Sequence, residues 1–581
     1  MKKTIWIYAL LLGFVALQSC KKVETEPQDL DTYERVFDPL DPTATKAQNF
    51  LNNIYSFLPT GFSRVGGNFL EAGTDDAVSI DPRASIANYT NGIITSIGNN
   101  NPDNYFSAAY AGIRQANIFL ANSDKIAVTA ENPNRTKTFN AEARFIRAFL
   151  YFELLKRYGG IPLIGDKIFT LNDNLQLKRN SFEECVNYIA SECDAIQPFL
   201  YPDAVSDPEF GRIVKGAAAA LKVRLYLYAA SPLFNGGGIE PDSELRQLTG
   251  YLTADPTRWN KVIDAVAQFK ALGYYGFFNN GQSGTNGYRD LFITKKNNEV
   301  ILSKQSVNNF DLENQNAPVG YIGFGTNPGG GRTNPTQNFV DAFTTLDGKA
   351  ITDPTSGYDP NNPYINRDPR FYATVFFNQN FTNNDYRWLS RPVETFEGGR
   401  DKPNDNSISQ TRTGYYLRKF LGNFSGATTY SQQSHNFIYF RYAEVVLSHA
   451  EALNELGRTE EAVTQIIEIR KRAGIAPGPA PVRYGIKVNI TPAEMRLLIR
   501  NERRIELSFE EHRFWDVRRW KIADTELNKT LTGMKITKNG TNYTYEVVPV
   551  VNIIFSDKLY HNPFPFDEVI KNSELRQNFG W

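Results

Sequence analysis

The chain has 581 residues, of which 41% are apolar and 13% aromatic, enough apolar content to exclude wholesale disorder. Lys plus Arg (63) balances Asp plus Glu (63), which excludes a nucleic-acid binder relying on bulk basicity, because phosphate recognition needs concentrated cations. Three Cys cannot staple a chain this long, and four His leave little room for a His-based metal cluster.

Lys2 and Lys3 precede an apolar run from Ile5 to Leu17, which stops at Gln18-Ser19-Cys20. A basic start, a short apolar stretch and a small residue before the cleavage point predict a signal peptide over 1–19. About 13 apolar residues are too few to span a bilayer, which takes about 20. Leu17-Gln18-Ser19-Cys20 resembles a bacterial lipobox, with Cys20 as the acylated first residue of the mature chain. Acyl burial contributes about 0.8 kcal/mol per CH₂, so two or more chains give stable anchoring. The polar stretch after Cys20 predicts a tether over 20–40.

Helical spacing then recurs. It predicts helices over 43–58 (Phe50, Leu51, Ile54, Tyr55, Leu58), 105–123 (Ala109, Ile113, Ala116, Leu120) and 140–158 (Phe145, Phe149, Phe152, Leu155). Gly159-Gly160 with Pro162 stops the third. A helix over 181–197 has Ser181 as N-cap and Glu183-Glu184 in its first turn. Its Cys185 and Cys193 are eight residues apart, about 12 Å along a helix, too far for a disulfide. An Ala-rich helix follows over 211–230, ended by Ser231-Pro232, and another over 256–272, with Pro256 at its first position.

From Gly273 to about Tyr430, Gly, Pro and Asn dominate. Segments 299–302 and 371–376 read as short strands. Loop regions this long inside a compact protein are usually functional. Helix returns at 440–456 and 459–472, with Gly457 between and Gly474 after. Small residues at the crossing (Ala450, Ala452, Ala462, Ala473) give this hairpin a tetratricopeptide style.

Residues 501–521 form the densest charged segment and read as one helix. Glu506 and Glu510 are an i,i+4 step; Glu510–Arg513 and Asp516–Arg519 are i,i+3 ion-pair steps. Ile505, Phe509 and Trp520 mark its buried face. Paired carboxylates serve glycosidases, but this pattern reads as structural. His435, His449, His512 and His561 lack metal-ligand spacing; His512 reads as part of the same polar network. No nucleophile elbow, Walker loop or dinucleotide fingerprint is present, and Gly329-Gly330-Gly331-Arg332 reads as a mobile loop.

The aromatic content points elsewhere. Sugars stack their C–H faces on rings while their hydroxyls need Asn, Asp and Arg. Two loop regions offer that mixture. The first spans 66–104, with Asp75, Asp76, Arg83, Asn88, Tyr89 and Asn101. The second includes Tyr321, Phe324, Tyr386, Arg387 and Trp388. The ligand-binding set expected from them is Asp76, Arg83, Asn88, Tyr89, Asn101, Tyr321, Phe324 and Trp388.

Several segments in order resemble the SusD/RagB family of Bacteroidetes nutrient-binding lipoproteins. They are the Cys20 lipobox; residues 141–148 leading to Tyr158-Gly159-Gly160-Ile161-Pro162-Leu163; and Ala220-Leu221 through Arg224 to Tyr228. Then come Pro335-Thr336-Gln337, residues 366–371, Arg441-Tyr442-Ala443-Glu444, residues 500–507 and the closing Asn578-Phe579-Gly580-Trp581. Acidic residues after Cys20 also resemble surface-export signals of such lipoproteins. The resemblance implies a mainly α fold: a tetratricopeptide-like helical-hairpin scaffold, an α–α superhelix, with a long irregular loop-rich region bearing short strands. It further implies a TonB-dependent (SusC-like) transporter that the lipoprotein caps. One SusD-like domain is expected over 41–581, divided into a helical part at 41–272, an irregular part at 273–430, and a helical hairpin with the C-terminal part at 431–581.

The expected function is a non-catalytic, lipid-anchored, surface-exposed binder of an oligosaccharide. A peptide ligand, a surface glycosidase and a purely protein-binding scaffold stand as alternatives. No nucleic acid, no metal ligand set and no cofactor are read, although loop oxygens leave room for Ca²⁺.

Overall fold

The computed structural model describes residues 32–98, 100–321, 330–380, 391–401, 411–422 and 432–581. Cys20 lies outside them.

The helices predicted in the first half are present. They are α1 (Thr45–Ser56), α2 (Phe106–Asn122), α3 (Arg135–Tyr158), α4 (Phe182–Ile196), α5 (Lys215–Ala230) and α6 (Arg258–Lys270). Ser181 caps α4: its hydroxyl accepts from the Glu184 amide, and the Glu184 carboxylate accepts from the Ser181 amide at 2.7 Å. Gly159, at φ +76°, ends α3. Pro256 does not open α6. Asp255 accepts from the Thr257 amide at 2.9 Å and from its hydroxyl at 2.6 Å, and this turn delays the helix to Arg258.

Each helix packs on the next in the chain, and α1 also reaches α3. The stack closes around a large apolar core that includes Leu51, Ile113, Phe149, Leu221 and Val262. Ala217 to Ala220 of α5 are all buried, and their small side chains let α4 and α6 approach. Cys185 and Cys193 are buried, free packing residues; burial pushes the Cys185 thiol up to about 12.

A short helix, α7 (Gly284–Ile293), opens the irregular part. The strands pair two by two, all antiparallel. β1 (Ala77–Ser79) lies on β3 (Thr333–Pro335), and β2 (Val300–Lys304) on β6 (Phe437–Arg441). β4 (Val375–Phe376) lies on β5 (Tyr416–Leu417), and β7 (Thr530–Asn539) on β8 (Asn542–Asn552). The strand predicted over 371–376 is mostly helix. Asp368 accepts from the Arg370 amide and Pro369 takes the first helical position, so residues 369–374 coil before β4 begins.

The helical return comprises α8 (Tyr442–Glu455), α9 (Thr459–Ala473), α10 (Pro492–Glu506) and α11 (Arg513–Arg519). Gly474 closes α9 in the left-handed conformation, at φ +82°. α8 packs on α6 and on α5, so the return continues the first stack. The single helix predicted over 501–521 is broken between Glu506 and Arg513, where Phe509 and Glu511 adopt positive φ. The break turns Glu510 toward Arg441 and Lys419, both at 2.7 Å, while Arg513 pairs with Asp75 at 2.9 Å. The expected Glu510–Arg513 step is therefore replaced, whereas Asp516–Arg519 forms at 2.7 Å. Ile505, Phe509 and Trp520 are buried as expected.

Candidate ligand-binding face

The β1–β3 pair brings the 79–85 loop beside Arg332 and Arg412. The Ile80 amide donates to the Arg332 carbonyl at 2.8 Å, and Arg412 donates to the Ser79 carbonyl at 3.0 Å. Gly66 and Gly67 turn with positive φ, and a Cβ at Gly67 would collide with the Arg332 guanidinium lying across it. Asp81 accepts from the Arg83 amide at 2.9 Å and from its guanidinium at 3.1 Å. Those two donors hold the Asp81 carboxyl below its ordinary range. Arg83 still leaves 75% of its side chain exposed. Arg83, Arg332 and Arg412 with Asp81 thus form a rim of hydrogen-bond donors around one acceptor. Arg332 and Arg412 were not expected as site residues; pairing of β1 with β3, invisible in local sequence, puts them there.

The floor beneath the rim is rigid. Asp75 and Asp76 are buried. Arg504 reaches Asp76 at 2.6 Å and Asp75 at 3.0 Å, and Lys529 adds 3.2 Å to Asp75. Burial opposes ionisation of Asp75, but Arg504, Arg513 and Lys529 outweigh it and hold the carboxyl well below the carboxylate range. Tyr89 is buried edge-to-face on Phe514, and its hydroxyl donates to Asn101 Oδ1 at 2.6 Å. Asn101 is itself buried. Tyr321 is buried under the Arg391 guanidinium, 4.3 Å from the ring centroid, with its hydroxyl donating to the Arg391 carbonyl.

Asp76, Tyr89, Asn101 and Tyr321, expected as ligand contacts, are therefore placed in the scaffold, buried and each held by at least one internal partner, although Asp76 Oδ2 and Asn101 Nδ2 are buried without one. Asn88 is half-buried and donates to the Asn100 carbonyl at 2.8 Å. Of the expected set, Arg83 stands open on the rim. Phe324 and Trp388, with Tyr386 and Arg387, lie outside the described residues.

A second charged cluster joins the irregular part to the helical return. Arg441 reaches Glu506 at 2.7 Å, Glu510 at 2.7 Å and Glu299 at 2.9 Å; Arg370 reaches Glu502 at 2.7 Å and Glu506 at 3.0 Å. All six side chains are buried. Burial opposes ionisation of Glu506, yet Arg472, Arg441 and Arg370 hold its carboxyl far below the ordinary range. Burial pushes the Lys419 ammonium beside Glu510 down to about 8. A glycosidase needs two carboxylates facing each other across an open cleft; these are capped by arginine in the interior. His512 does not join the ion pairs: burial and the cations Arg224, Arg503, Arg441 and Lys156 push it well below its ordinary range, so it stays neutral. Among the described residues, no group of His, Cys, Asp and Glu could hold a metal.

Residues 294–581 match the profile of the SusD family, and residues 40–227 match one described as starch-binding associating with outer membrane. The chain belongs to the SusD/RagB family. SusD-family proteins are non-catalytic proteins that bind glycans at the outer membrane and cooperate with SusC-like TonB-dependent transporters. The SusD-like protein P2 of Formosa agariphila is 24% identical, over 100% of this chain and 99% of its own length. A solved SusD-like protein from Bacteroides fragilis is 28% identical with a TM-score of 0.75, covering 92% of this chain and 97% of its own. A laminarin-binding SusD-like protein shares the fold, with a TM-score of 0.58 at 20% identity, covering 92% of this chain and 99% of its own. The SusD-type scaffold of helical hairpins carrying short, unclosed strands is what the helix stack here displays.

Proposed function

We propose that this chain is the surface lipoprotein of a nutrient-uptake pair, anchored through Cys20 and capturing an oligosaccharide on the rim of Arg83, Arg332 and Arg412. The observation that carries this reading is the rim itself. Three guanidinium groups and one carboxylate are set on loops that a buried ion-pair floor holds in place, and hydroxyl-rich ligands need such fixed donors and acceptors. Family membership supports the glycan and the SusC-like partner. The helical-hairpin side docks the transporter, leaving the rim open to solvent. Residues 41–581 act as one unit: Phe62 packs both on the large core and on a second apolar core around Phe339 and Phe371, and Ile263 and Tyr442 pack both on the large core and on a third around Ile466 and Ile499.

Calorimetry against a panel of neutral and acidic oligosaccharides tests the rim. Arg83→Ala is expected to weaken the bound glycan about tenfold, a loss of roughly 1.4 kcal/mol, with the melting temperature unchanged. A panel without a binder would end the oligosaccharide reading, and peptide binding in the same assay would redirect it. Cys20→Ala is expected to move the protein out of the membrane fraction; retention there would remove the anchor.

A further inference from the structure

Away from the rim, a cavity of about 410 Å³ opens where the end of α5 meets α6, α8 and α10. Two tryptophans, Trp259 and Trp520, line it. Two carboxylates line it as well, and both are engaged. Glu455 accepts two hydrogen bonds from Arg496, at 2.5 and 2.7 Å. Glu451 accepts from both ends of the Arg519 guanidinium, at 2.6 and 2.8 Å, and from the Trp520 indole N–H at 2.7 Å.

Arg500 is the exception. It stands one turn beyond Arg496 on α10, half-buried at the cavity wall. Its guanidinium lies 5.1 Å from the Trp520 ring centroid and makes no ion pair with any described residue. Its Nε is buried without a hydrogen-bond partner. Burial pushes its pKa down, and the cations Arg519 and Arg496 push the same way against Glu451 and Glu455. A buried charged donor left without an acceptor is costly, so the wall around Arg500 favours an acceptor.

The rest of the wall fits the same chemistry. Gly236 and Gly237 run along it, and a Cβ on either would collide with the Ala254 backbone or the Pro232 carbonyl. Their amides donate to no described residue, and neither does the Trp259 indole N–H. These donors are unused at the wall, while its two carboxylates are engaged. The apolar surface is supplied by Trp259, Pro256 and Ile499. A guanidinium fork matches a carboxylate in plane, and a ring or short apolar stem fits a cavity of this size.

We infer that this cavity binds a small organic carboxylate with a flat or apolar stem, its carboxylate on Arg500 and its stem against Trp259. The site is separate from the glycan rim and does not depend on it.

The test uses hippurate and its uncharged isostere hippuramide on the purified mature protein, read by calorimetry and tryptophan fluorescence. Hippurate is expected to bind saturably, and hippuramide at least about tenfold more weakly. Arg500→Gln is expected to abolish the difference between the two. Trp259→Leu is expected to weaken both. Equal binding of the two probes, absence of hippurate binding, or full hippurate affinity in Arg500→Gln would each overturn the inference. The comparison of the two probes on the unaltered protein decides the matter even where a variant fails to fold.

Discussion

The helix stack and the irregular part solve the same problem with different chemistry. In α1 to α6 the backbone satisfies its own hydrogen bonds, so the interior can be apolar, with Phe145, Phe149 and Phe152 of α3 all buried. The irregular part leaves carbonyls without helical partners, and buried arginines supply the donors. Arg367 is the clearest case, donating to the carbonyls of Pro363 at 2.8 Å, Val340 at 2.6 Å and Phe343 at 2.9 Å. Irregular backbone is thus stabilised by buried guanidinium groups, and Arg441, which donates to the Glu506 carbonyl at 2.7 Å, is itself paired with Glu299, Glu506 and Glu510.

Three substitutions sharpen that contrast. Arg441→Met leaves Glu299, Glu506 and Glu510 short of a buried partner and is expected to cost about 3–5 kcal/mol in chemical denaturation. The same network sets the acid limb. Glu506 has its folded pKa depressed, so its contribution is complete above the unfolded value of 4.5 and is lost as pH falls through the lower folded value. Unfolding followed from pH 7 to pH 3 should show this decline, and Arg441→Met should flatten it; an unchanged slope would remove the network from the acid response. Phe149→Ala, in the apolar stack, is expected to cost about 3–4 kcal/mol with no change in that slope. Ser181→Ala removes one cap from α4 and is expected to cost about 1 kcal/mol by the same measurement. A larger loss from Ser181→Ala than from Arg441→Met would reverse the ranking of the two regions.

Much of the scaffold was legible because helical period is a local property. α1 to α6, α8 and α9 follow from apolar residues three and four apart, bounded by Gly or Pro. The same rule misled at residues 501–521, where continuous charge hid a break that only a distant partner requires. The β7–β8 hairpin is missed by a reading based on helical period, although its two-residue turn, Gly540-Thr541 with Gly540 at φ +63° in the first central position, is a recognised hairpin signal. On the candidate ligand face the sequence picked Arg83 but not Arg332 or Arg412. It also assigned to the ligand several residues that packing claims, Tyr89 and Tyr321 among them.

By itself the sequence determined the balanced charge, the order of helices, the lipobox motif and the family. Tertiary structure alone decided which aromatic rings are core, which arginines are paired, and that Arg500 lines a cavity with no ion-pair partner among the described residues. The reason is distance along the chain. Helix periodicity acts within four residues, whereas Arg504 and Asp76 meet across 428 positions. An ion pair at that separation leaves no pattern in either local sequence, so folding must bring the partners together before chemistry can be assigned to them.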